Sequence, residues 1–179
     1  MEHKLEWSVK LLERMPGALD VLLRGLPEAW TLENEGGNTW SARDVVAHLI
    51  HGERTDWMPR ARMVLEFGES RTFVPFDRLG HLHASEGKTL DELLDEFAQL
   101  RTGNLKELNG MRLGGEELAL RGQHPALGVV TLSELLATWA THDLTHLHQI
   151  SRILAHPYRD TVGPWNAYLG VLRCGGHGD

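Results

Sequence analysis

The stretch from Leu132 to Ala155 constrains the fold more than any other. Leu135, Trp139, His142, His146, Gln149 and Ile153 follow one another at intervals of four, three, four, three and four, the spacing of one inward face on a long amphipathic helix. Such a helix runs for roughly 36 Å before Pro157 stops it. A face of that length needs partners to cover it, and further amphipathic helices along the chain can supply them.

At the start of this helix, Thr131 is followed three positions on by Glu134, a capping-box signature that Ser41…Asp44 and Thr89…Glu92 repeat. The repeats predict helices over 42–67, ended by Gly68, and over 90–108, ended by Asn109-Gly110. Val45, Val46, Leu49, Met63 and Val64 mark the apolar positions of the first; Leu90, Leu93, Leu94, Phe97 and Leu100 mark the second, which carries no obvious chemistry. Upstream, Leu5, Val9, Leu12, Leu19, Leu22, Leu23 and Leu26 trace a further stripe, which Pro16-Gly17 is expected to divide into two helical pieces. Residues 27–40 read as a loop. Residues 68–88 read as a crossover, long enough to be functional. Between 110 and 130 no segment reads as a strand, and this stretch is expected to pack back over the helices. A short apolar turn around Trp165 and Leu172 closes the chain, and residues 175–179 read as a frayed tail. The expected architecture is all-α, a four-helix bundle with a long crossover, with residues 1–179 as a single domain.

His142 and His146 lie one turn apart on the inward stripe, so both imidazoles can reach one ion. With 11 histidines in 179 residues the spacing alone is weak; the position is stronger, because buried imidazoles need partners for both ring nitrogens. Two hydrogen-bonded core histidines are the competing reading. A third ligand is expected from a facing helix, and His48 is the first candidate because it shares a side with Val45 and Leu49, with His51 next. Three histidines leave one position open, the arrangement of catalytic rather than structural zinc sites, although Zn²⁺, Ni²⁺, Fe²⁺ and Mn²⁺ all suit such donors. Asp143 follows the first ligand of the pair, as a general base does in zinc peptidases; it can instead orient a ligand histidine or pair with a neighbouring base. Gln149 is placed to hold water or to satisfy a buried polar contact. Glu53 is read as solvated or at the mouth of the site, His81, His83 and His124 as exposed loop residues, and His148 as pointing off the stripe.

A net charge of −7, from 25 acids against 18 bases, with no run of Lys or Arg, argues against nucleic acid as a partner. Cys174 is the only cysteine, which excludes an internal disulfide and fits a cytoplasmic location. The charged N-terminus lacks the apolar core of a signal peptide, and no apolar run approaches the length that spans a bilayer.

Three pieces of the chain, Trp40-Ser41-Ala42-Arg43-Asp44-Val45-Val46-Ala47-His48-Leu49-Ile50, residues 124–132 from His124-Pro125 to Thr131-Leu132, and His142-Asp143-Leu144-Thr145-His146-Leu147-His148-Gln149-Ile150, together resemble the DinB/YfiT-like superfamily of metal-dependent enzymes. The resemblance covers nearly the whole chain. It implies a four-helix bundle with a long crossover, frequently a homodimer, with a nickel or zinc ion held by His48, His142 and His146 and water in the open position. Some members are thiol S-transferases or a thiol-dependent isomerase that use low-molecular-weight thiols, while most have no assigned reaction. The expected function is therefore a metal-dependent transferase or hydrolase in which activated water or thiol attacks a small-molecule substrate; the contrasting expectation is a non-catalytic metal- or ligand-binding bundle. The crossover is expected to line the pocket, with Phe73, Phe76 and Asp77 against the substrate, or else to lid the core by burying both phenylalanines.

Overall fold

The computed structural model describes residues 3–174; the expected frayed tail, 175–179, lies outside them. The first helix, α1 (Leu5–Leu23), buries Ser8, Leu12, Met15, Leu19 and Leu23 along one face. Its continuity corrects the expected break at Pro16-Gly17. Pro16 has no N–H to give the Leu12 carbonyl, but Arg101 Nη1 donates to that oxygen at 2.9 Å. The acceptor freed by the proline is thus satisfied from another helix, and the strain of an interior proline is offset.

A single turn, α2 (Glu28–Thr31), interrupts the loop that follows. The next helix was expected to run unbroken from 42 to 67, but it forms two segments, α3 (Ala42–Thr55) and α4 (Trp57–Phe67), with Asp56 between them at φ −111° and ψ −73°. Pro59 is the physical reason: it cannot donate to the carbonyl one turn back, and its ring crowds the backbone there. The break turns the buried Trp57 indole onto Trp139, with ring centroids 6.0 Å apart and planes 11° from parallel. Gly68, at φ 56°, ends α4.

The crossover holds one short helix, α5 (Gly80–Ala84). It leads to α6 (Leu90–Gly110), then to a turn, α7 (Gly115–Leu118), and to an antiparallel hairpin of β1 (Arg121–His124) and β2 (Gly128–Thr131). The hairpin corrects the expectation of no strand. Arg121 pairs with Thr131 and His124 with Gly128, while Phe73 N–H donates to the Gln123 carbonyl at 2.8 Å. Gly122 lets the hairpin close on the core, since a Cβ there would lie 2.7 Å from Val64 and 2.9 Å from Phe73. The last long helix, α8 (Leu132–Ala155), is followed by short 3₁₀ turns in which Trp165 and Tyr168 are exposed.

All three capping boxes form, each with the hydroxyl accepting from the third helical N–H and the acid accepting from the cap N–H. The long helices make a four-helix bundle in which α1 packs on α6 and α8, and α3 packs on the same two helices. Two apolar clusters fill it. One gathers Leu12, Met58, Leu105, Leu136 and Trp139; the other gathers Leu19, Val46, Leu49, Phe97 and Ile150. The intervening turns of α8 carry His142, Asp143 and His146.

Candidate metal centre

Because α3 packs directly on α8, His48 meets the histidine pair across the helix interface. The Nε2 of His142 lies 3.2 Å from Nε2 of His48 and 3.1 Å from Nε2 of His146. One ligand atom from each ring falls within 4.8 Å of the others. A ring N–H shared among three converging nitrogens cannot serve both contacts well, whereas three lone pairs aimed at one point suit a cation.

For His146 the outward nitrogen sets the tautomer. His146 Nδ1 lies 2.8 Å from Gln149 Oε1, so an N–H on Nδ1 donates to the amide oxygen and the Nε2 lone pair faces inward. The Nδ1 atoms of His48 and His142 are buried without a hydrogen-bond partner. Burial, then the neighbouring His146 and His142 rings, pushes His48 down to about 2. Burial, then His146 and the Arg101 charge, pushes His142 down to about 3. Both rings stay neutral at physiological pH and keep a lone pair for an acceptor of electrons. The donor set and its convergence therefore fit a divalent first-row ion.

Aromatic rings enclose the three imidazoles. Trp40 packs on His48 at 4.8 Å and stacks on His146 at 6.3 Å, and Trp57 meets His142 at 5.0 Å. From the crossover, Phe76 meets His48 at 5.5 Å and His51 at 4.9 Å. The other two expected crossover contacts go elsewhere: Phe73 is buried against His124, and Asp77 Oδ1 accepts from the Leu79 N–H inside its own turn. His51 stays outside the converging set.

Behind the histidines lies a charged layer that binds all the long helices. Arg101 of α6, 1 % exposed, donates from Nε and Nη2 to Glu53 Oε1 at 3.1 and 2.8 Å, and from Nη1 and Nη2 to the Asp143 oxygens at 2.7 and 3.1 Å. Glu53 also accepts from Trp139 Nε1 at 2.9 Å and from Asn104 Nδ2 at 2.9 Å. Glu53 is therefore neither solvated nor at a mouth. Of the three roles open to Asp143, pairing with a base is the one observed; its carboxylate is buried, and burial, opposed by Arg101, pushes it up to about 6. Periodicity carried a signal for this layer, since Leu94, Phe97, Arg101, Leu105 and Leu108 share one stripe, and a charge on a stripe needs a partner inside.

His81 is the other correction. It is fully buried, with its ring 4.6 Å from Trp40 and 5.7 Å from His48. His124 also departs from the exposed loop position expected of it: it is half-buried at the end of β1 and caps the hairpin turn, accepting from the Ala126 and Leu127 N–H groups at 3.1 Å. The side chain of His83 lies outside the described residues. Two surface clefts of ≈ 480 and ≈ 540 Å³ include none of the three histidines in their lining: Arg101 lines one beside Glu13 and Thr102, and Glu35 and Asn166 line the other. Among the described residues no helix is long and apolar enough to cross a membrane.

A structure from Bacillus subtilis superposes on 86 % of this chain and 86 % of its own, with a TM-score of 0.70 at 19 % identity: YfiT, described as a probable metal-dependent hydrolase with an unusual four-helix bundle topology. At that identity the likeness is one of fold. No curated protein sequence matches the chain. The sequence pattern of the DinB superfamily matches residues 11–150, a span that begins inside α1, ends in α8 and takes in His48, His142 and His146. On that match the chain belongs to the DinB superfamily.

Proposed function

We propose that His48, His142 and His146 hold one divalent ion, Zn²⁺ or Ni²⁺ before Fe²⁺ or Mn²⁺, and that the protein is a metal-dependent hydrolase or thiol transferase of a small molecule. The observation that carries this reading is the approach of three Nε2 atoms from two helices to within 3.2 Å of a common member. When bound, the ion supplies a Lewis acid that lowers the pKa of water or of a low-molecular-weight thiol in the open position. The chain does the rest. Gln149 holds His146 in the tautomer that presents Nε2, the Arg101 layer sets α3 and α8 at the spacing the ligands need, and Trp40, Trp57 and Phe76 keep bulk water from the nitrogens. The description of YfiT supports the hydrolase arm.

A non-catalytic metal-binding bundle is the second reading, favoured by the closure of the site: His48 is 6 % exposed and His146 9 %. Metal analysis of the purified protein and of the His48→Ala, His142→Ala and His146→Ala variants tests the centre, with one equivalent expected in the parent and a large loss in each variant. Undiminished metal in His142→Ala and His146→Ala removes the assignment. Ester and amide substrates, run beside low-molecular-weight thiols with an epoxide or chloro-aromatic, separate the reactions. Metal binding with no turnover across that set selects the second reading.

A further inference from the structure

The crossover helix α5 brings to the histidine centre an imidazole whose needs the protein leaves unmet. His81 is 0 % exposed, and neither of its ring nitrogens has a hydrogen-bond partner. Burial holds the ring's pKa below its ordinary value; the Arg78 carbonyl opposes this without reaching hydrogen-bond geometry. A neutral imidazole carries one donor and one acceptor, and burying both unmet costs free energy at each.

This placement is held from several directions. An added Cβ on the preceding Gly80 would lie 2.6 Å from His51 Cε1, so the backbone at the start of α5 is pressed onto the His51 ring of α3 beside His81. At the far end, Arg43 Nη2 donates to the Ser85 and Lys88 carbonyls at 2.8 and 2.7 Å. His81 thus belongs to a seam between α3 and α5 in which His51 Nε2 and His48 Nδ1 also lack partners. Trp40 and Phe76 flank that seam with apolar faces, Trp40 touching His48 and His81, and Phe76 touching His48 and His51. Unmet donors and acceptors between aromatic rings describe a site for a small, flat, polar group.

We propose that His81 is a substrate-binding residue of the three-histidine centre, hydrogen-bonding a small molecule through a carboxylate, amide or similar oxygen-bearing group. The assignment rests on the reading of that centre as a metal site. It makes the strap from Asp77 to Ser85 the wall that recognises the substrate, and it requires the strap to lift for entry, because the histidines are closed off when it is seated.

The test is calorimetric titration of acetohydroxamate, which offers paired oxygens and an N–H, into the zinc-loaded full chain and its His81→Phe and His81→Gln variants, with metal content measured in each. Retained metal in all three, affinity weakened about tenfold or more in His81→Phe, and recovery in His81→Gln are expected for the loss of one buried hydrogen bond. Unchanged affinity in a metal-replete His81→Phe protein overturns the proposal and leaves His81 as packing beside ordered water. Loss of metal in that variant also overturns it, by making His81 a ligand. If the parent itself holds no metal, the metal reading fails on that measurement alone. The same titration of the metal-free proteins then decides the role of His81: binding that depends on His81 keeps it, and no binding by the parent ends it. Should His81→Phe fail to fold, ring ¹⁵N shifts of His81 in the parent must move on addition of acetohydroxamate; shifts that stay fixed refute the assignment.

Discussion

Replacing Arg101 by Met is the most informative single change to the scaffold. The guanidinium is 1 % exposed and donates five hydrogen bonds, two to Glu53, two to Asp143 and one to the Leu12 carbonyl. Met preserves much of the volume and none of the donors, so two carboxylates are left in the interior without their cation and one backbone oxygen without its donor. Breaking a buried ion pair from one side costs about 3–5 kcal/mol. At roughly 2–4 °C per kcal/mol for a domain of this size, melting should fall by about 6–20 °C. The control is Arg62→Met: Arg62 pairs with Glu107 through two contacts at 2.6 and 2.7 Å, but their side chains are 51 % and 36 % exposed. Solvent screening holds that loss below about 1 kcal/mol. Urea denaturation followed by far-ultraviolet circular dichroism, in chelator at pH 7, compares the two directly. Adding Glu53→Gln and Asp143→Asn to Arg101→Met removes the stranded charges and should recover part of the stability. If Arg101→Met costs no more than Arg62→Met, the clamp does not bear on stability and the reasoning fails.

Three further outcomes follow from the same geometry. In the metal-free protein, His48 and His142 have folded-state pKa values near 2 and 3 against 6.5, so the unfolded chain binds more protons below 6.5 and stability falls with acidification. From pH 7 to pH 5 the two histidines cost about 4 kcal/mol, while Asp143, raised to about 6, takes up its proton in the folded state and offsets about 1. Urea midpoints at the two pH values measure the net, and a flat profile would contradict the burial argument. Removal of the ion by chelation should lower the melting temperature by the linkage term, about 2.7 kcal/mol at a hundredfold excess over Kd, with helical circular dichroism retained, since two leucine-rich clusters hold the bundle. Complete loss of helix would instead mark a structural site. Gly80→Ala drives a methyl to within 2.6 Å of the His51 ring; overpacking of about 1–3 kcal/mol should unseat the strap and speed metal extraction by a chelator, and an unchanged extraction rate would show that the strap does not guard the histidines.

The histidine centre was legible because its members sit on helices whose phase is visible in sequence. Thr131-to-Glu134 and Ser41-to-Asp44 fixed where two helices begin, and counting along each put His48, His142 and His146 on inward faces. The family match over residues 11–150 is in keeping with the resemblance found in the same motifs. What escaped depended on partners distant in sequence. Pro16 breaks a helix unless its orphaned carbonyl finds a donor, and that donor lies on α6. Pro59 marks the division of α3 from α4 locally, but it stands inside an apolar pattern that reads as one helix. The hairpin strands, Arg-Gly-Gln-His and Gly-Val-Val-Thr, are too short to alternate visibly, and the first has no apolar side chain; Phe73 and the close packing at Gly122 hold them against the core. His81 looked like a loop residue because nothing in the crossover's own sequence states that α5 docks on α3.

The bond from Arg101 to the Leu12 carbonyl supplies the donor that Pro16, one turn on, cannot give. Any relative with an ordinary residue at position 16 would send that residue's own N–H to the same oxygen, and the arginine would then share an acceptor it now holds alone. Pro16 can therefore be gained only where a donor such as Arg101 already reaches the Leu12 carbonyl, whereas Arg101, held by Glu53 and Asp143, can outlast the proline: a one-way inheritance written through a main-chain atom.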